Sequence, residues 1–197
     1  MINYIILIVS ALLLGLYIWD LRGNKFNTKL IVLVGIFSGI SYVLYVIQFI
    51  KYPQGGGISL FSMLPVMLLS LLCGRQAGLT AGMIFGLLKI LNGFFVVHPA
   101  QFLFDYILST MALGLARTFG TDKKHKVILG CLFAVSLGVF INIVSGAVYF
   151  GEYAPEGMNV WWYSFIYNFS SAGVEGILTV IVVAVLPLNK FRKMIKL

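Results

Sequence analysis

Charge is what this sequence has least of. Only 10% of its 197 residues are Asp, Glu, Lys or Arg, against ~25% in a soluble globular domain. With 60% apolar residues and a mean hydropathy of +1.01, there are too few charged side chains to cover a water-facing surface. A soluble fold is excluded. Histidine is limited to His98 and His125, and cysteine to Cys73 and Cys131. Neither pair has metal-ligand or disulfide spacing, so no metal, cofactor or disulfide framework is expected, and the cysteines read as packing residues. The motifs G-x-x-x-x-G-K-[ST], H-E-x-x-H and G-x-S-x-G are absent. The chain thus lacks a phosphate loop for hydrolysing ATP and two common hydrolase signatures.

What the sequence does have is apolar length. A bilayer core of ~30 Å needs ~20 apolar residues per helical span. Apolar runs separated by polar breaks give candidate spans at 3–19, 30–50, 58–73, 77–96, 100–117, 127–150 and 161–188. The alternation of a transmembrane β-barrel is missing, so an all-α, polytopic membrane protein is expected. The first span has no Lys or Arg before it and no small-residue cleavage site after it. It therefore reads as a retained helix instead of a signal peptide.

The net charge of +8 and pI near 9.6 suggest nucleic acid only until the cations are located. They sit at span ends and form no stripe, so no nucleic-acid partner is expected. Alternate breaks and the tail carry 12 of the 14 cations: Arg22, Lys25, Lys29, Arg75, Arg117, Lys123, Lys124, Lys126, Lys190, Arg192, Lys193 and Lys196. The other face has Lys51 alone, with Glu152 and Glu156. The positive-inside rule then predicts a cell-membrane protein with its amino terminus outside and its carboxyl terminus in the cytoplasm. The breaks at 52–57, around His98 and at 151–160 would face outward. The first contains Pro53-Gln54-Gly55-Gly56-Gly57, and the last is followed by Trp161, Trp162 and Tyr163, which an interfacial aromatic belt also explains.

Three charged residues fall inside spans, where each costs a few kcal/mol and normally faces a cavity or a partner. Lys89 either snorkels to the interface or faces such a cavity. Glu175 reads most simply as a protonated acid hydrogen-bonded between helices. Asp105 stands out because Gln101 and Tyr106 accompany it, and other span ends on the same side carry Asn142, Tyr149, Tyr163 and Asn168. One carboxylate with neutral hydrogen-bonding groups and aromatic faces suits a flat, cationic, amine-bearing ligand and suits a phosphate poorly.

Several stretches then carry a resemblance. They are Lys51-Tyr52-Pro53-Gln54-Gly55-Gly56 with Ile58-Ser59-Leu60 and Met63-Leu64-Pro65; Ala77-Gly78-Leu79 with Ala81-Gly82; and Val97-His98-Pro99 with Gln101-Phe102 and Asp105-Tyr106. The most specific is Ser145-Gly146 and Phe150-Gly151, followed by Tyr153-Ala154-Pro155-Glu156-Gly157, Asn159-Val160-Trp161, Tyr163-Ser164 and Ile166-Tyr167-Asn168. Over 29–188 the chain resembles the thiamine-specific, ThiT-type substrate-binding subunits (S components) of energy-coupling factor (ECF) transporters. The resemblance implies a six-helix S-component bundle over 29–188. An extra amino-terminal transmembrane helix with its link (1–28) would precede it, and a basic cytoplasmic tail (189–197) would follow. It also implies an outward-facing thiamine site, a transmembrane coupling subunit and two cytoplasmic ATPase subunits as partners, and no enzymatic activity. Carried over residue by residue, it assigns Asp105 and Tyr106 to holding the ligand, Tyr163 and Asn168 to the aminopyrimidine, and Gly146 and Phe150 to the wall beside the thiazolium. Residues 52–57 correspond to a lid. Gly35 and Gly39 supply the spacing of the family's contact with the coupling subunit, a pattern that serves internal helix packing as readily.

This sequence departs from the family at several points. Asn142 stands where the family often has a histidine that stacks near the thiazolium; it can hydrogen-bond there but not stack. Gly57 replaces a small polar residue, Phe61-Ser62 adds a residue before Met63, and the first span lies outside the resemblance. The competing readings are the same transporter class with a thiamine precursor or analogue as ligand, a membrane enzyme using Asp105 or Glu175, and a self-sufficient secondary transporter. The last would require internal repeats with broken midplane helices, which the sequence does not show.

Overall fold

In lipid no water pairs with free backbone N–H and C=O groups, so a long apolar run satisfies its backbone as a helix. The computed structural model shows this over most of its described residues, which are 2–22, 26–52, 56–93 and 95–194. Lys25, Pro53-Gln54-Gly55, Phe94 and Lys196 lie outside them. The elements are α1 (Ile2–Arg22), α2 (Thr28–Val46), β1 (Gln48–Lys51), β2 (Gly57–Ser59), α3 (Met63–Cys73), α4 (Arg75–Lys89), α5 (99–117), α6 (Lys124–Tyr149), α7 (Val160–Val185) and the short α8 (Leu188–Met194). Helices α1, α2, α6 and α7 are each long and apolar enough to cross a membrane. The fold is all-α and multi-pass: a bundle of six helices, α2 to α7, with α1 added.

Two expected spans are corrected. The run at 30–50 is helical only to Val46, and its last residues form β1, which pairs antiparallel with β2 through Ile50↔Ile58 and Lys51↔Gly57. The span at 58–73 therefore begins as a strand and becomes helical only at Met63, leaving α3 with 11 residues, ~16 Å of helix and about half a bilayer. The physical reason lies in the connecting residues. A Cβ at Gly57 would overlap the carbonyl oxygen of Ile50, so the strands close only on glycine. Phe61 adopts φ +55°, which breaks any continuous helix across the junction.

Successive helices run in opposite directions and define two ends. At one, Arg75 pairs with Asp20 at 3.4 Å, Lys126 with Asp122 at 3.0 Å, and Arg192 reaches the Leu71 carbonyl at 3.4 Å. At the other lie the hairpin, His98 and Tyr149. Helix starts are capped where the sequence provides the group. Asn27 accepts from Leu30 N–H at 2.8 Å, His98 Nδ1 from Ala100 N–H at 3.1 Å, and Asn159 from Trp161 N–H at 2.9 Å.

The core, which includes Val66, Met67, Leu69, Ala81, Phe85 and Cys131, sits where α3, α4 and α5 cross near α6. Close approach is made by glycines four apart on α4, since small residues let helix backbones touch in lipid. Added Cβ atoms at Gly78, Gly82 and Gly86 would overlap Ser70 and Gly114, Thr110, and the Tyr106 carbonyl respectively. Gly35 and Gly39 on α2 have the same spacing, but no atom stands within 4 Å of a Cβ built at either. One glycine face is therefore internal packing and the other is uncovered among the described residues. Gly82→Ala is expected to cost about 1–3 kcal/mol of stability through overpacking and to lower the thermal midpoint in detergent. Gly35→Ala should leave it unchanged, and equal midpoints for the two variants would contradict this packing.

Candidate functional site

Two of the helices at the hairpin end do not stay α-helical. In α5, residues Leu103–Leu108 are π-helical; in α7, Phe169–Gly173 are. A π-turn displaces carbonyls from their usual partners, and such turns often mark functional sites. In lipid the displaced groups need replacements, and hydroxyls about one turn later supply them. Ser109 Oγ donates to the Asp105 carbonyl at 2.6 Å and Thr110 Oγ1 to that of Tyr106 at 2.9 Å. In α7, Ser171 Oγ donates to the Tyr167 carbonyl at 2.8 Å. Both irregular segments thus begin at or just after residues that the sequence singles out.

Between these helices and the hairpin lies a cavity of about 140 Å³. Its lining includes Tyr45, Lys89, Asn142, Tyr167, Asn168 and Glu175. Of the expected site residues, Asn142 and Asn168 line it, whereas Asp105, Tyr106, Gly146, Phe150 and Tyr163 are not among its lining residues. The Nδ2 of Asn168 donates to the Ser164 carbonyl at 2.9 Å and to the Asn142 carbonyl at 3.3 Å, so its side-chain oxygen remains available as an acceptor. Gly146 makes this possible: a Cβ there would overlap Ser164 Oγ and crowd Asn168 Nδ2.

Asp105 is half-buried in the half of α5 nearer the hairpin. One carboxylate oxygen accepts from Gln101 Nε2 at 2.7 Å. Tyr106 stacks on Phe102 with ring centres 5.7 Å apart and donates weakly to the Phe95 carbonyl at 3.4 Å. Phe150 stacks on Phe95 at 5.9 Å and adjoins Tyr153 at 6.3 Å. Tyr163 lies 6.1 Å from Tyr167. Lys89 faces the cavity, and of the two alternatives for it this is the one realised. Its ammonium lies 5.1 Å from the Tyr45 ring centre and 5.8 Å from that of Tyr106, within cation–π range.

Glu175 corrects an expectation. Its partners are not on a neighbouring helix but at the β2–α3 junction. Ser59 N–H and Oγ donate to one carboxylate oxygen at 3.0 and 2.7 Å. Ser62 N–H and Oγ donate to the other at 2.8 and 2.7 Å. Four converging donors suit a carboxylate, and all three residues are buried. The arms of the hairpin rest on α7 as well. Gly56 N–H donates to Tyr167 Oη at 2.9 Å, Tyr52 Oη to the Ser170 carbonyl at 3.3 Å, and the Tyr52 and Tyr167 rings meet edge-on at 5.3 Å.

Tyr45, Tyr52, Tyr167 and the Ser59/Ser62 pair are absent from the residues that sequence reasoning assigned to the site. The four-residue step from Tyr163 to Tyr167 places both on one helix face and was the available signal for Tyr167. Tyr52 was marked only as the first residue of the lid that the resemblance implies, and nothing comparable marks Tyr45. Among the described residues no three or more His, Cys, Asp or Glu side chains are grouped to hold a metal.

A multi-pass helical bundle with a half-polar cavity at one end, roofed by a hairpin, is the form of a membrane protein that takes up a small solute. The comparisons define it further. Residues 31–195 match the family described as thiamine transporter protein (Thia_YuaJ). The chain is 36% identical over 150 residues to the thiamine transporter ThiT of Bacillus subtilis (strain 168), covering 68% of this chain and 78% of that one. It is 30% identical over 154 residues to ThiT of Lacticaseibacillus paracasei, covering 68% and 77%. A solved structure of ThiT from Listeria monocytogenes superposes with a TM-score of 0.71 at 23% identity, covering 84% of this chain and 96% of that one, a likeness of fold. This chain belongs to the thiamine transporter family, whose named members are transporters and not enzymes.

Glu175→Gln removes one acceptor from the receptor at the hairpin base and leaves a donor pair unmatched, a loss of about 2 kcal/mol. Hydrogen–deuterium exchange of residues 57–62 is expected to rise in this variant. Unchanged exchange would show that Glu175 does not hold the junction.

Proposed function

We propose that this chain is the substrate-capturing membrane subunit of an ATP-driven vitamin uptake system, and that it binds thiamine at a site open to the cell exterior. Family membership supports the transport of thiamine. The observation that carries the site is Asp105: a carboxylate within a membrane helix, on the end away from the basic loops, held through one oxygen by Gln101. An exocyclic amine on a positively charged ligand would donate to the other oxygen. Asn168, with its nitrogen committed to Ser164 and Asn142, offers an oxygen to the same aminopyrimidine, and Tyr163 completes its hydrogen bonding. Lys89 already covers faces of Tyr45 and Tyr106. The resemblance assigns the thiazolium to the wall made by Gly146 and Phe150, with Asn142 beside it. The lid that the resemblance assigns to 52–57 lies partly outside the described residues; its described members Gly56 and Gly57 line the cavity.

The chain has no phosphate loop, so energy must come from elsewhere. The reading supplies it from two cytoplasmic ATPase subunits through a transmembrane coupling subunit. The uncovered Gly35 and Gly39 on α2 give that subunit a face for close helix contact. The 12-to-1 partition of cations supports an orientation with the hairpin end outside and the carboxyl terminus in the cytoplasm.

A charge-assisted hydrogen bond contributes ~1.5–3 kcal/mol, and a tenfold change in affinity is ~1.4 kcal/mol. Asp105→Asn is therefore expected to weaken thiamine binding about tenfold or more, measured by calorimetry or tryptophan quenching in detergent. Equal affinity removes Asp105 from the site. Mass spectrometry of the small molecule that co-purifies separates thiamine from a precursor or analogue. Vesicles containing this chain alone should bind thiamine but not accumulate it, and accumulation without the other subunits would contradict the coupled mechanism.

A further inference from the structure

Helix α1 lies outside the residues matched by the family, and its packing gives it a place in the site. Ile6 is buried in a cluster with Ala100, Phe104 and Leu108 of α5, flanked by Val144, Val148 and Tyr149 of α6. Near the start of α1, the two ends of the Asn3 side-chain amide lie 3.0 Å from Tyr149 Oη and 3.4 Å from His98 Nε2. The His98 and Tyr149 rings are stacked, 5.6 Å between centres and 18° from parallel. His98 is also the cap of α5 through Nδ1.

Tyr149 O–H donates to the Asn3 side-chain oxygen at 3.0 Å, and the Asn3 amide nitrogen lies beside His98 Nε2. A single amide thus touches both the residue that caps the first turn of α5 and the last turn of α6, which leads into Phe150.

We propose that Asn3 is a positioning residue for the ligand site. Resting on the thiamine reading above, it fixes the spacing between Asp105 on α5 and the Gly146–Phe150 wall on α6, so that an amine-bearing, flat cation meets both at once. Its contribution comes from a helix that the family match does not include. The far end of α1 is fastened separately, by the contact of Tyr17 Oη with Thr80 Oγ1 on α4.

The test uses the full chain in detergent, with thiamine affinity read by tryptophan quenching and stability by thermal unfolding. Asn3→Ala is expected to weaken thiamine binding at least fivefold. Asn3→Asp, whose carboxylate accepts from both His98 Nε2–H and Tyr149 O–H, should restore affinity to within twofold of the wild type. Tyr17→Phe should lower the thermal midpoint while leaving affinity within twofold. Asn3→Ala within twofold of the wild type, Asn3→Asp no better than Asn3→Ala, or Tyr17→Phe weakening binding as much as Asn3→Ala, would each overturn the proposal. A wild type that binds no thiamine removes the functional reading and this proposal together. A wild type that binds while Asn3→Ala is unchanged removes this proposal alone.

Discussion

Every departure from regular helix in this protein has to be satisfied from within, because the surrounding lipid donates and accepts nothing. The irregular stretches of α5 and α7 exist because Ser109, Thr110 and Ser171 take up the carbonyls that those stretches release. The same constraint governs the hairpin, whose break from helix at Val46 is compensated by strand pairing and by the Glu175 carboxylate. Buried polar groups without such support are few among the described residues, the Ser10 and Ser41 hydroxyls among them.

Glycine spacing has two opposite uses here. On α4, three glycines are consumed by contacts with α3 and α5, and they set how closely the helix bearing Lys89 lies against the helix bearing Asp105. On α2, two glycines with the same spacing touch nothing nearby. Helix α1 packs against α4 and α5 and leaves that α2 face open. The added helix and the uncovered stripe therefore occupy different sides of the bundle.

The course of the helices was largely legible in the sequence, because a ~20-residue apolar run has few alternatives in lipid. The hairpin was not. Gln48-Phe49-Ile50-Lys51 continues the apolar run of α2 without a polar break, and strands of 4 and 3 residues are too short for periodicity to register. The π-helical stretches were also invisible, since a serine one turn after a carbonyl is common in ordinary helices. For the site, Asp105 could be singled out because a charge in lipid is costly, and Asn142 and Asn168 through the resemblance. Tyr45 could not, since tyrosines near a membrane interface are expected whatever they contact, and Tyr52 entered only as part of the lid implied by the resemblance. Glu175 was visible as an anomaly, but its partners are more than 110 positions away in the chain, a distance no local pattern bridges.

The hairpin is fastened unequally along its length. Its root is bound by four short bonds to one carboxylate, whereas its arms rest on α7 through Gly56 N–H on the Tyr167 hydroxyl and Tyr52 Oη on the carbonyl and hydroxyl of Ser170. The two ends of the hairpin therefore differ in tenure: parting its arms from α7 breaks fewer bonds than unseating the junction of β2 and α3, where the short helix α3 begins.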